Sequence, residues 1–379
     1  MLFEDVIGND PVKKFFQKNS VSGRIPHCQL IVGAEGSGAL PMALAYARSV
    51  LCNNSKNLSD SCGLKISEIK HPDLHFIYPV ANNQVVKSKA ISSNFISSWR
   101  EFLYTNPYGS LFDWYSKLGI ENKQGKIGKD EAENLISKIS LKPYEGGWKA
   151  VILWMAEKMN ASATNKLLKL IEEPPEKTLF LFVAEDESLL MDTLLSRCQK
   201  TYLKKIPNSI VLKALKNKGF SEQVAENACL QSNGNYGNAL SLAKGQENNL
   251  RFEEWFKSWV RSAFLVKKNK EAVLDLLHWS KTIAKSGRET QKRFIDYSLE
   301  LFRQALMVNY GLKKITYFSP SSDFNFESFS TFIEGANIEE ISGELEKAYL
   351  QVQSNGNPNM IFTDLSLKLT RLIHKAKNN

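Results

Sequence analysis

The stretch Ile31–Ala43, IVGAEGSGALPMA, has the glycines of a phosphate-binding turn and lacks the side chains that would work on a phosphate. A working loop of the form G-x-x-x-x-G-K-[ST] uses glycine backbone N–H groups and a helix N-terminus to cradle phosphate oxygens. Its Lys reaches the terminal phosphates, and its Ser or Thr holds Mg²⁺. Here Gly33, Gly36 and Gly38 keep the turn, and Pro41 suits the first turn of the helix that follows. Ala39 and Leu40 stand where the Lys and the hydroxyl would be. Enzymes that use such loops also place a metal-holding Asp, and often a base Glu, at the end of an apolar strand. In KAVILWMAEKMN (149–160) those positions hold Trp154 and Met155. Glu157 lies two residues beyond Met155 and reads as structural. Loop and strand are disarmed together, so hydrolysis on this chain is not expected.

These residues need a sheet to carry them. Short apolar runs at 27–33, 73–80, 148–156, 178–185 and 199–206 alternate with helical patterns at 10–20, 41–51, 128–141 and 160–172. Near-continuous apolar strands alternating with helices predict an α/β fold with a parallel sheet covered on both faces. Residues 81–127 interrupt that rhythm with a polar, aromatic-rich insertion. Its Trp99, Phe102, Tyr104, Trp114 and Tyr115 read as a local mini-core, with a docking or base-stacking surface as the alternative. Pro174-Pro175 ends the fourth helical pattern abruptly. After Pro207 the strands stop, and a group of short helical patterns leads into an almost wholly helical segment from about 249, broken by a loop at 317–326.

Bulk properties narrow the function classes. A chain of 379 residues with 43% hydrophobic and 23% charged residues is globular and too long for one ordinary core. No apolar run reaches membrane-spanning length, and MLFEDVIGND lacks a signal-peptide pattern, so a cytoplasmic location and no membrane contact are expected. Five scattered cysteines (Cys28, Cys52, Cys62, Cys198, Cys229) do not read as a disulfide framework. The formal charge of +9 is compatible with a polyanion partner without demanding one. The excess is uneven: residues 251–314 carry 14 Lys/Arg against 7 Asp/Glu, whereas 315–346 carry acids and no Lys or Arg. Solvated helix faces and a nucleic-acid-facing surface both account for that pattern.

Two stretches resemble a known family. FEDVIGNDPVKKFFQKNSVSGRIPHCQLIVGAEGSG is similar to the opening of AAA+ clamp-loader ATPases, in which a Val-Ile-Gly segment lies against the adenine. MNASATNKLLKLIEEPPEKTLFLFVAEDESLLMDTLLSRCQK resembles the Asn-x-Leu-Leu-Lys-x-Leu-Glu-Glu-Pro-Pro stretch, strand and Ser-Arg-Cys motif of bacterial clamp-loader subunits. The motifs fall within roughly residues 1–245. The resemblance implies an AAA+ α/β domain over 1–206 with its insertion at about 81–127, a helical lid over 207–248, and a helical, collar-type oligomerisation domain over 249–379. It implies a degenerate nucleotide site at Val6, Ile7, Gly33, Gly36, Gly38, Ala39 and Leu40. It makes Arg197 an arginine finger acting in trans on the ATP of a neighbouring subunit, supported by Ser196 and Cys198. A guanidinium suits that role because it is permanently charged and forks onto phosphate oxygens.

The chain also departs from the family. Gly237, in GNYGNAL, stands where the lid usually supplies an Arg to the nucleotide. Of the four zinc-binding cysteines often present, Cys52 and Cys62 remain, while Lys65 and Glu68 hold the other places. His71 offers a third ligand, and family spacing gives no fourth, so no zinc is expected. No cofactor is required on this reading, which leaves room for weak ADP or ATP binding. The implied function is a non-hydrolysing subunit that braces an AAA+ ring and helps place a sliding clamp on primed DNA. Its partners would be the motor subunits and a delta-like subunit, with clamp and DNA reached through the complex. The rival readings are an independently active AAA+ nucleotide enzyme with atypical ligands and a stand-alone basic DNA-binding protein.

Overall fold

The computed structural model describes residues 1–375 except 54, 56–59, 146, 246–247, 313–315, 319 and 321–322. The chain divides into two compact units, one of residues 1–120 and 124–244, the other of residues 121–123 and 245–379.

The first unit is built on five parallel strands: β1 (Cys28–Val32), β2 (Leu74–Ile77), β3 (Lys149–Trp154), β4 (Thr178–Ala184) and β5 (Gln199–Tyr202). Their order across the sheet is β2-β3-β4-β1-β5. Every residue of β1, β3 and β4 is buried, as parallel strands covered on both faces require. Register places Ile31 beside Val183 and Trp154 beside the same Val183, so the C-terminal ends of β1 and β3 flank that of the central strand β4.

One face is covered by α1 (Asp10–Ser22) and α2 (Ala39–Leu51), with the short α3 (Ser61–Ser67) after them. The insertion forms α4 (Ile96–Thr105) and α5 (Leu111–Leu118). The opposite face is covered by α6 (Lys129–Ile139), α7 (Ala161–Glu172) and the single turn α8 (Asp192–Leu195). Asn160 caps α7, its side chain accepting the Ala163 N–H at 2.8 Å. The lid helices α9 (Asn208–Asn217), α10 (Glu222–Ser232) and α11 (Tyr236–Ala243) surround a small core of Val211, Leu215, Ala225, Cys229 and Leu240.

The insertion is not a separate mini-core. Trp99, Phe102, Trp114 and Tyr115 join the core that also holds Ile31, Ile152 and Trp154. The Trp99 ring stacks on Tyr78 at 4.1 Å and lies 5.2 Å from Trp154. Trp114 donates its indole N–H to the Pro79 carbonyl at 2.9 Å. Only Tyr104 of the five singled-out aromatics points to solvent, 86% exposed. The large apolar area of Trp154 at the end of β3 gives these rings a surface to pack on, which a carboxylate there would not.

Two cysteines depart from expectation. Cys52, just past α2, and Cys62, in the first turn of α3, are joined as a disulfide with Cα atoms 5.7 Å apart. Their Cα separation lies within bridging reach, which their scatter in sequence does not show.

The second unit consists of α12 (Asn248–Leu265), α13 (Ala272–Ala284), α14 (Arg288–Asn309), α15 (Phe326–Ser330), α16 (Gly335–Gln353) and α17 (Pro358–Leu372). Its core centres on Trp259, which stacks on Trp279 at 4.9 Å and donates to Ser366 at 3.0 Å. Charges of the basic segment meet acids within the unit: Lys257 pairs with Asp323 at 2.5 Å, and Lys292 with Glu289 at 2.7 Å. Part of the uneven charge is thus answered internally.

Trp99 touches strand, insertion and loop-side residues at once and is fully buried. Trp99→Ala is expected to cost about 3–5 kcal/mol of unfolding free energy, measured by urea denaturation. A cost near that of a surface substitution would mean that the insertion packs independently.

Candidate functional site

The glycine turn forms where the sequence places it. Gly36 and Gly38 adopt φ values of +73° and +93°, and Gly38 is the N-cap of α2. Ala39 and Leu40, buried at the start of α2, face the protein interior rather than a ligand's charge. The Gly33 N–H donates to the Ala184 carbonyl at 3.0 Å, tying the turn to β4.

The lid closes directly on this turn. A side chain at Gly36 would collide with Asn235 Oδ1. Asn235 donates its amide to Glu35 Oε1 at 3.1 Å and accepts the Asn238 N–H at 2.8 Å as the cap of α11. The Tyr236 N–H donates to the Gly36 carbonyl at 3.3 Å.

A residue from the insertion occupies the space between turn and lid. Tyr108, between α4 and α5, is 6% exposed. Its ring stands 3.1 Å from the Cβ position of Gly38 and 4.8 Å, edge to face, from the Tyr236 ring. Its phenolic oxygen accepts the Ile7 N–H at 2.6 Å. Burial pushes its phenol well above the usual tyrosine range. Its carbonyl lies against Gly237, where any Cβ would collide with it. Gly237 is therefore an adaptation to Tyr108 as well as the loss of an Arg. The cavity left around Gly33, Gly36, Gly38, Ala39, Leu40, Trp154 and Met155 is about 30 Å³. A second cavity of about 450 Å³ shares Pro107 and Tyr108 with it and is lined by Ile7, Leu44, Tyr236 and Leu240. Val6 is buried in the core beside it.

Tyr108 was not identified from sequence. The signal was Asn106-Pro107-Tyr108-Gly109 between two helical patterns, which marks a turn and does not say where its ring goes.

At the end of β3, Trp154 carries rings and Met155 adopts φ +57°. Glu157 accepts the Glu185 N–H at 3.3 Å, and burial pushes its carboxyl above the ordinary glutamate range.

Arg197 sits apart from the loop cavity, in the turn between α8 and β5. Its Nε donates to Glu172 Oε1 at 2.6 Å, and its Nη2 reaches the same oxygen. Nη1 donates to the Thr193 carbonyl at 2.7 Å and to Ser196 Oγ at 3.2 Å. Glu172 is the first acid of the Glu-Glu-Pro-Pro stretch, so two motifs far apart in sequence meet here. With side chains 34% and 46% exposed, the ion pair is worth at most about 1 kcal/mol and releases the guanidinium readily. Cys198 touches Cys28 across the neighbouring strand at 2.8 Å.

The residues at and beside the family's zinc-ligand places serve local structure. Lys65 pairs with Glu145, Glu68 with Lys70 at 2.7 Å, and buried His71 lies 3.3 Å from Glu145. No cluster of three or more His, Cys, Asp or Glu suited to a metal ion occurs among the described residues.

Parallel sheet, glycine turn at the head of α2 and lid folded onto that turn define an AAA+-type module with a cavity of about 30 Å³ at the turn. The family model described as "DNA polymerase III, delta subunit" matches residues 8–207. The chain belongs to this family, that of the delta-prime clamp-loader subunits of DNA polymerase III. It is 25% identical to the DNA polymerase III subunit delta' of Bacillus subtilis (strain 168) over 239 residues, covering 62% of this chain and 59% of that protein. It is 42% identical to the subunit delta' of Yersinia pestis over 95 residues, 25% of this chain and 28% of that one. The subunit tau of Bacillus subtilis is 22% identical over 392 aligned positions, 99% of this chain and 62% of tau. The chain thus spans about three fifths of the length of the Bacillus relatives. A gamma-subunit-related protein of Thermotoga maritima is similar at TM-score 0.40 and 13% identity, covering 95% of this chain and 99% of that one.

Glu157 provides a test of how the strand end has been repurposed. The folded protein holds the Glu157 proton more tightly than the unfolded chain does, so stability falls as pH rises from the ordinary value of 4.5 through the raised folded value. Glu157→Gln lacks that loss. In paired urea melts, the unfolding free energy of the variant minus that of the wild type should grow as pH rises above 4.5. A difference that stays constant with pH would show that Glu157 is not the group responsible.

Proposed function

We propose that this chain is a non-hydrolysing subunit of the DNA polymerase III clamp loader, which braces the AAA+ ring and lends Arg197 to the nucleotide of a neighbouring subunit. The observation that carries this reading is Tyr108, whose ring packs against Gly38 at the glycine turn and lines the small cavity there. Ala39, Leu40, Trp154 and Met155 supply neither a cation, a metal ligand nor a base there. A ring member of this kind has nothing to gain from its own loop except shape.

The placement of Arg197 supports the second half. It is separate from the chain's own loop cavity, half-exposed, and held by a surface pair that an incoming phosphate displaces at small cost. A guanidinium delivered from outside stabilises charge that develops on the transferring phosphoryl group. Ser196 and the Thr193 carbonyl orient it beforehand. The partners on this reading are the motor subunits and a delta-like subunit of the loader, with the sliding clamp and primed DNA engaged through the assembly. The reading places the protein in the cytoplasm, with no cofactor of its own and no zinc.

Two measurements test it. The isolated chain should neither bind ATP detectably in calorimetry nor turn it over with Mg²⁺. In the reconstituted loader, Arg197→Ala should slow hydrolysis at the site it feeds by about 10³-fold, and Arg197→Lys should not restore it, because an ammonium cannot fork onto two oxygens. Turnover by the isolated chain would favour an independent enzyme; normal turnover in the loader carrying Arg197→Ala would remove the finger.

A further inference from the structure

Two thiols meet beside Arg197, one of them Cys198 of the Ser-Arg-Cys motif. Cys28 opens β1, and Cys198 immediately precedes β5. The strands run parallel with Gln29 opposite Gln199, so Cys28 and Cys198 occupy facing positions one step earlier in the same register. Facing positions on adjacent strands lie about 4.8 Å apart. That is within the Cα separation a disulfide spans, roughly 4.4–6.8 Å. Side chains at facing positions also point to the same side of the sheet. Here both enter the core under α7 and α8, and the sulfur atoms are 2.8 Å apart. Neither is engaged in the Cys52–Cys62 disulfide.

The two are unequal. Cys28 is 3% exposed, and its hydrogen bond to Cys198 together with burial pushes its thiol far above the usual range. Cys198 is half-buried, at the end of the exposed Arg197 turn. An oxidant arriving from solvent therefore meets Cys198 first, and Cys28 waits behind it.

We propose that Cys28 and Cys198 form an oxidant-sensitive dithiol, closed to an intramolecular disulfide by a hydroperoxide, and that this bond restrains the turn bearing Arg197. In the first step the Cys198 sulfur attacks hydrogen peroxide. An S–O bond forms, the O–O bond breaks, and Cys198 becomes a sulfenic acid with release of one water. In the second step the Cys28 sulfur attacks Cys198. The S–S bond forms, the S–O bond breaks, and the Cys28 proton leaves with the hydroxyl as a second water. A thiol reductant reverses the change by exchange. The turn itself is lightly held: the Arg197 N–H donates to the Leu194 carbonyl at 3.1 Å and the Cys198 N–H to the Leu195 carbonyl at 3.4 Å. A covalent tie from Cys198 to β1 leaves Arg197 one residue from a fixed point.

Any effect on a neighbouring ATP site rests on the reading of Arg197 given above, but the dithiol and its restraint do not. The full-length chain, treated with hydrogen peroxide and digested without reduction, should yield a cross-linked peptide pair containing Cys28 and Cys198. Cys198→Ser should abolish that cross-link. Cys28→Ser should stop at a Cys198 sulfenic acid that dimedone captures. In the oxidised wild type, hydrogen exchange at the amides of Arg197 and Cys198 should slow by about tenfold, equivalent to roughly 1.4 kcal/mol of local opening. The proposal is overturned if both thiols of the treated wild type remain open to alkylation, a result that needs no variant to fold. It is equally overturned if the cross-link forms and exchange in the turn is unchanged.

Discussion

The burial of one phenol ring governs the site. Tyr108 reaches from the insertion into the space between the glycine turn and the lid. It accepts the Ile7 N–H of the N-terminal segment, packs on Gly38 and lies edge-on to Tyr236 of the lid. It thereby joins three segments far apart in the chain. A ring that is part of the chain does so without the entropy cost of capturing a ligand. The lid is held on the turn by that packing and by the Asn235 amide on Glu35.

That packing makes sense of residues that otherwise look like separate defects. Gly237 is required because the Tyr108 carbonyl leaves no room for a Cβ. Gly36 is required because Asn235 of the lid fills its side-chain position. Trp154 replaces a carboxylate and gives the insertion's Trp99 and Phe102 a surface to pack on. The glycine turn, the end of β3 and the insertion form one packing solution. On the other side of the sheet, Arg197 is held by Glu172 and the Thr193 carbonyl in a geometry that the loop does not share. The loop cavity and Arg197 lie at opposite ends of different strands and against separate cores.

Much of this was written in the sequence. Strands at 28–32, 149–154 and 178–184 fall inside the apolar runs, since a strand buried on both faces has few alternatives to Val, Ile, Leu and Phe. The turn at Gly33–Gly38 was legible because positive φ favours glycine, and α7 ended where Pro174-Pro175 forbade continuation. The chemistry absent from positions 39, 40, 154 and 155 was equally plain, because a missing ammonium or carboxylate is a property of the residue itself. Tertiary structure decided the rest. Helical period shows that Trp99 and Trp114 are apolar and not which core receives them. Cys52 and Cys62, ten residues apart, and Cys28 and Cys198, on different strands, are paired by chain path and sheet order. The destination of Tyr108 depends on the angle at which the insertion leaves the sheet and on where the lid folds back. Those are distances between segments far apart in the chain, and local propensity carries no information about them.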